Sequence, residues 1–533
     1  MVLPPNPTTN ADETRGDPAQ VPRRQLEQRH IQMIAVAGTV GTALFLGSGQ
    51  ALSGGGPVGA LLAYALVGSV AYASLCSVGE MTSLAPIPGS FAHYAHRWVD
   101  EATGFALGWI YFFTNAVTIP AEIAGAELLI SYWNVNPRPY IVLILGVICL
   151  VNIFGVRYFG EVEFWLSIVK LTMIAILILI SIVIDLGGAP DHRRRGFQYW
   201  KDPGPFAAGV PDGYQVLGFM SAVVQSAAAF QGIEISAIAA SEAVSPRRNV
   251  AIAMKRVSVR ICVFYITGIF VAGLVVPSND PQLLQPAGNI THSNGTIERT
   301  VNASPFVIGM QNSGFGTSVV SIINAGVLSS AISAGNSFLF SGSRILYGLA
   351  LRGQAPACLA KLNTRTGTSI PAVLFTSAFG FLAFLDIKNE TFQWFYNMAA
   401  VGQLITWSVI NFTYLRFYQG MAVQKRPRAD LKYWNRLQPW LALWGLFGCI
   451  VCIFFGGYPI FLGFHKVDRP FIISYVIPSV FLIVLIGWRH LHQTQMISAA
   501  QMDFETNIPS VEDTETPEKV PSGFWAKLAY RLI

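Results

Sequence analysis

Twelve apolar stretches, each bounded by charged or turn residues, run through this chain at about 31–51, 57–79, 104–133, 138–155, 161–186, 216–240, 257–277, 317–343, 370–385, 391–415, 437–461 and 471–488. A stretch of roughly 20 such residues spans the hydrocarbon core of a bilayer as a helix. With no water there to pair with the backbone, a lone span has no alternative to the helix. The expected fold is therefore an all-α polytopic membrane protein with about twelve transmembrane helices. Composition agrees, since 52% of the 533 residues are hydrophobic and 12% are charged, about half the charge of a soluble protein.

Charge placement sets the expected orientation. With the N-terminus inside, 25 of the 35 Lys and Arg fall in cytoplasmic segments and nine outside, leaving Lys170 within a span. By the positive-inside rule both termini are expected in the cytosol, and the net charge of +6 calls for no nucleic acid. The triplet Arg193, Arg194 and Arg195 is the misfit, because it falls outside. The first 24 residues are polar and lack an apolar signal core, so they read as a cytosolic tail and the first span as the insertion signal. Five of six cysteines lie in apolar runs, Cys358 alone in a loop, which gives no disulfide framework and no metal spacing.

The expected organisation is a cytosolic N-tail (1–30), a first half of five spans (31–186), a second half of five (187–415), a cytosolic loop with the last two spans (416–490) and a cytosolic C-tail (491–533). Between spans seven and eight, Asn289, Asn294 and Asn302 open glycosylation sequons, which the charge rule also puts outside. The C-tail carries an acidic patch, Val511–Glu518, and an amphipathic end, Phe524–Ile533. It reads as a disordered solvated tail with one surface helix, open to regulatory partners.

Two spans are interrupted by small residues. The first holds Gly38, Gly41, Gly47 and Gly49, and the sixth holds Ser226, Ala228, Gly232 and the acid Glu234. Glycine-interrupted helices five spans apart point to two inverted repeats with a binding site at the bilayer midplane, where unwound backbone meets a ligand. Half-helix N-termini there favour a carboxylate. The alternative reading of the glycines is close helix packing. Lys170 lies about ten residues into span five, roughly 15 Å deep, with Glu234 and Glu122 as candidate counter-charges for a proton relay; the alternative is a static ion pair. His93 and His96 lack the companions of a metal site, and no nucleotide loop or nucleophile motif appears. Neither an enzyme nor a metal or organic cofactor is expected.

Seven motifs now stand in order: Arg29–Gly49 (RHIQMIAVAGTVGTALFLGSG), Pro86–Phe91 (PIPGSF), Gly160–Trp165 (GEVEFW) leading to Lys170, Phe230–Glu234 (FQGIE), Ser241–Asn249 (SEAVSPRRN), Ser333–Ser337 (SAGNS) and Ser343–Ala350 (SRILYGLA). Together they resemble fungal amino-acid permeases of the amino-acid/polyamine/organocation superfamily. The resemblance implies a five-plus-five inverted repeat with broken helices one and six, two further C-terminal helices, and proton-coupled amino-acid uptake across the plasma membrane by alternating access. It implies that amides around Gly41, Thr42 and Ala43 hold the substrate carboxylate. Carbonyls near Thr39, Ala228 and Gln231 would hold its ammonium, beside Phe230 and Gly232. Lys170 and Glu234 would couple the proton, with Glu122 added as a candidate by its own position in span three. Two departures stand out: Ala43 replaces a usual glycine, where a positive φ would be costly, and Gln231 stands where a small residue is common. A nutrient sensor with little flux and a polyamine or organic-cation carrier are the rival readings.

Overall fold

In the computed structural model, residues 23–133, 135–207, 215–284, 288–291, 297–300, 304–385, 391–456 and 469–515 are described. They form a helical bundle. Its first half comprises α1 (Gln28–Thr39), α2 (Thr42–Phe45), α3 (Gly47–Leu84), α4 (Ser90–Trp98), α5 (Glu101–Ser131), α6 (Arg138–Ile153) and α7 (Val156–Asp185). After the short α8 (Gln198–Lys201) follow α9 (Gln215–Ala229), α10 (Ile235–Ala239), α11 (Pro246–Val275), the short α12 (Pro281–Leu284) and α13 (Pro305–Gln311). Then come α14 (Thr317–Leu351), α15 (Ile370–Ala378), α16 (Thr391–Val423), α17 (Trp440–Phe455) and α18 (Arg469–His492). The one sheet among the described residues is a two-stranded antiparallel ladder, Gly288–Thr291 with Ile297–Thr300. Asn289 sits in its first strand, while Asn294 and Asn302 lie outside the described residues.

Each expected apolar stretch coincides with a helix, and two boundaries are instructive. The first stretch is not one helix but α1, α2 and the first arm of α3, because the backbone leaves helical geometry at Val40 and Gly41. The 38 residues of α3 are too long for one crossing. They divide at Gly56 (φ 73, ψ 174), followed by Pro57. A Cβ at Gly56 would lie 2.4 Å from the backbone of Phe206, so the chain after α8 can close over the kink only because no side chain is there.

The outer helices carry the lipid-facing surface. The most apolar window of α7 has a mean hydropathy of 2.7 with only 33% of it buried in the protein, and for Tyr475–His492 of α18 the buried share is 6%. Leu143, Leu179, Phe447 and Ile483 are exposed. A soluble protein could not tolerate so broad an apolar belt. Behind it, α1 and α5 are buried along most of their length.

One arginine of the Arg193–Arg195 misfit has a local cause. Arg195 is buried, pairs with Asp191 at 2.7 Å and donates to the Ile184 carbonyl at the end of α7, so its charge is spent on a helix C-terminus. The C-tail departs from expectation more clearly. Residues 493–515 are not a solvated tail but a strap across the end of the bundle where the first described residues also lie. Met502 and Phe504 are buried, Phe504 packs against Trp98 and Phe417, and Gln424 donates to the Met502 carbonyl at 2.7 Å. Arg247 reaches Thr514 Oγ1 at 2.8 Å and the Pro509 carbonyl at 2.6 Å. Two apolar anchors and arginine donors for its free carbonyls outweigh the polar composition. The amphipathic end, 524–533, lies outside the described residues.

Arg97 joins the strap through Asp503 at 2.8 Å. Desolvation pushes the Asp503 carboxyl upward, but the amides of Glu505 and Thr506 and the Arg97 guanidinium outweigh it and hold the group at about 2. A carboxyl held below its unfolded value stabilises docking above about pH 4 and loses that contribution as pH falls toward 2. R97Q is expected to raise the rate of proteolysis within 493–515 at pH 7 by about fivefold, the scale of a partly exposed ion pair. Limited proteolysis of the full chain reads this directly, and an unchanged rate would contradict it.

Candidate functional site

The two helix breaks meet. At Gly38 an added Cβ would lie 2.6 Å from Ile235 Cδ1, and at Gly232, where φ is +93, it would lie 2.8 Å from the Gly38 carbonyl group. Both positions need glycine for close approach, and Gly232 also for its backbone conformation. Gly38 therefore packs against the second break, and it also lines the cavity between the two.

Breaking a helix frees backbone groups, and at this depth each needs a partner. Side chains from four other helices supply them at the first break. Lys170 of α7 donates to the Ala37 carbonyl at 2.6 Å. Tyr265 of α11 donates to the Thr39 carbonyl at 2.7 Å, and Ser330 of α14 to the Val40 carbonyl at 2.8 Å. Glu122 of α5 accepts from the Thr42 N–H at 3.2 Å. At the second break the Ala228 carbonyl accepts from the Gln231 N–H at 3.2 Å, and that of Gly232 from the Ile235 N–H at 3.1 Å.

Between the breaks lies a cavity with about 310 Å³ of empty space reaching to its mouth. Thr39, Thr42, Ala43, Ala228 and Gln231 line it, together with Gly38, Thr118, Ala121, Glu122, Phe338, Tyr396 and Ala399. Gly41, Phe230 and Gly232 shape it from behind. A Cβ on Gly41 would lie 2.6 Å from Glu122 Oε1 and 2.9 Å from Ala334 Cβ. Phe230 is buried against Tyr265 and Tyr64, with ring centroids 4.7 and 6.0 Å away. Gln231 is fixed by Thr118, to which its amide donates at 2.9 Å.

Two sequence expectations are corrected. Ala43 needs no positive φ, because the chain turns at Val40 and extends at Gly41 (φ −121, ψ −160), and Ala43 is already in the helical turn of α2. Glu234 does not face Lys170. Its carboxylate accepts from Tyr111 at 2.9 Å and from the Trp407 indole at 3.3 Å, which ties the second break to α5 and α16. The charged neighbours of Lys170 are Glu163 and Glu122. Glu163 is fully buried and accepts from Ser333 and Asn336, each at 2.5 Å. The sequence holds a signal for it, since Glu163 and Lys170 are seven residues apart and so share a face of one helix. Tyr265 carries no such signal.

A buried cavity at two unwound helices, inside a bundle with a lipid-facing belt, defines a polytopic membrane transporter and not an enzyme. The chain belongs to the amino acid permease family, whose model matches residues 30–496. It is 36% identical to the dicarboxylic amino acid permease of Saccharomyces cerevisiae over 532 residues, 96% of this chain and 85% of that protein. It is 34% identical to the basic amino-acid permease of the same yeast, over 94% of this chain and 87% of that one. Among solved structures, a mutant of the manganese transporter of Eremococcus coleocola superposes with a TM-score of 0.55 over 87% of this chain and 94% of its own, at 13% identity, a likeness of fold alone.

Gly41→Ala tests the geometry. A methyl group wedged against Glu122 and Ala334 is expected to cost about 1–3 kcal/mol as overpacking and to reduce amino-acid uptake at least about tenfold at equal membrane abundance. Uptake assays beside quantitative blotting of the membrane fraction read it, and parental uptake would show the approach to be slack.

Proposed function

We propose that this chain is a proton-coupled amino-acid symporter of the plasma membrane, working by alternating access between two five-helix inverted halves, with both termini in the cytosol. The cavity between the breaks is the observation that carries the reading. It offers backbone amides of α2 to a carboxylate and backbone carbonyls at the ends of α1 and α9 to an ammonium group. Every α-amino acid carries that pair of charges.

The coupling proposal follows from Glu122 and Lys170. Glu122 occupies the Thr42 amide that a substrate carboxylate would take, and two carboxylates cannot share one donor unless one withdraws or takes up a proton. Lys170 holds α1 through the Ala37 carbonyl. Proton exchange among Lys170, Glu122 and Glu163 would then change how firmly α1 is held as the cavity turns from one side to the other. Glu234 serves as a fixed link between the second break and α5 and α16. In this topology Asn289, Asn294 and Asn302 lie outside the cell and are open to glycosylation.

The test is uptake of labelled acidic, basic, neutral and imino amino acids, and of a polyamine, by permease-deficient fungal cells expressing this chain. Uptake of one amino-acid class is expected, abolished by collapsing the proton gradient and reduced to background in Lys170→Ala. Uptake that survives gradient collapse would overturn the coupling. Uptake of the polyamine alone would replace the substrate class, and no uptake by a correctly placed protein would favour a sensor.

In wild-type protein the same measurement at stepped external pH is expected to show uptake falling as pH rises and the proton supply declines. Glu122→Gln is expected to flatten that profile while leaving counterflow exchange of the substrate measurable. An unaltered profile would remove Glu122 from the coupling.

A further inference from the structure

Tyr265 stands behind the cavity wall and touches both broken helices at once. Its hydroxyl lies 2.7 Å from the Thr39 carbonyl oxygen and 2.8 Å from that of Ala229. Thr39 is the last residue of α1 and Ala229 the last of α9. One phenol oxygen therefore sits on the ends of both half-helices, each of which carries carbonyls without intrahelical partners and a partial negative charge.

The ring cannot drift from this place. Tyr265 is fully buried, with its centroid 4.7 Å from Phe230 and 6.1 Å from Tyr64. The hydroxyl has one hydrogen and two acceptors at hydrogen-bond distance, so it serves one carbonyl at a time. The Thr39 carbonyl also accepts from the Gly41 N–H at 3.0 Å, and Thr39 itself lines the cavity. Two negative helix ends, brought together around a single shared phenol hydrogen, suit a cationic N–H group arriving from the cavity.

We propose that Tyr265 is a positioning residue for the substrate ammonium group: its hydroxyl holds the ends of α1 and α9 at the spacing at which their carbonyls receive that group, and ties the two broken helices into one moving unit. The inference rests on the amino-acid reading of the cavity. Tyr265 acts through the carbonyls and has no contact with substrate.

Tyr265→Phe keeps the ring packed on Phe230 and Tyr64 and removes only the hydroxyl. In the full chain expressed in permease-deficient cells, KM for the transported amino acid is expected to rise about tenfold, the scale of one hydrogen bond to a charged arrangement, with kcat within about twofold of the parent. Competition by the α-hydroxy acid of the same side chain, which lacks the ammonium, is expected to stay unchanged. A KM within about twofold of the parent overturns the proposal. So does equal weakening of the amino acid and the hydroxy acid, which would mark a general loss of packing. If Tyr265→Phe fails to reach the membrane, Phe230→Leu loosens the ring while keeping the hydroxyl and is expected to raise KM for the amino acid selectively; no selective rise overturns the proposal equally. Absence of amino-acid transport by the parent chain would instead fail the underlying reading and this inference with it.

Discussion

The contact between Gly38 and Gly232 governs the rest of the molecule. Two helices that break at membrane depth must each find partners for freed backbone groups, and bringing the breaks together without side chains lets one neighbour serve both. Tyr265 reaches both helix ends. Lys170, Ser330 and Glu122 come from three further helices to the first break alone. The order in which α5, α7, α11 and α14 surround α1 is thus the order of donors and acceptors that the break demands. Were the breaks ordinary helical turns, those polar side chains would be buried without partners, at a cost of about 1–3 kcal/mol each.

Much of this is legible in the order of the residues alone. Apolar length marks a helix because the bilayer permits little else, and every expected stretch coincides with one. Four glycines locate the first break, and Gly232 among small residues locates the second, since a residue without a Cβ allows backbones so near. What the sequence does not supply is rotation about the helix axis. Lys170, Glu122 and Glu234 all lie deep, but depth follows from counting residues, and facing follows from the packing angle of each helix. Glu122 turns toward the break, Glu234 toward Tyr111 and Trp407, and Glu163 takes a place beside Lys170 that depth alone does not suggest. The strap escapes a sequence reading for a related reason: its polar composition describes 493–515 as an isolated peptide, whereas Met502 and Phe504 find a surface that only the folded bundle offers.

The Ala43 expectation fails instructively. It places the turn at Ala43, where a methyl group would be strained. The turn comes earlier, at Val40 and Gly41, and α2 begins at Thr42. The methyl group then narrows the cavity without bending the backbone, so the substitution bears on what fits and leaves the way the chain unwinds unchanged.

That separation between backbone and side chain bears on substrate choice. Two relatives of nearly equal identity, 36% and 34%, carry names for side chains of opposite charge. In the proposed mechanism the amides of α2 and the carbonyls ending α1 and α9 read only what all amino acids share. Discrimination must come from the remaining wall: Thr118 and Gln231 held to each other, Phe338, Ala399, and Tyr396, whose hydroxyl donates to the Gln225 carbonyl at 3.0 Å. Those side chains lie on α5, α14, α16 and the second break, and Phe338, Ala399 and Thr118 belong to none of the groups that hold the first break open. In that mechanism the wall can change its chemistry without disturbing the Gly38–Gly232 contact, so a change of substrate side chain need not alter the way the two helices break.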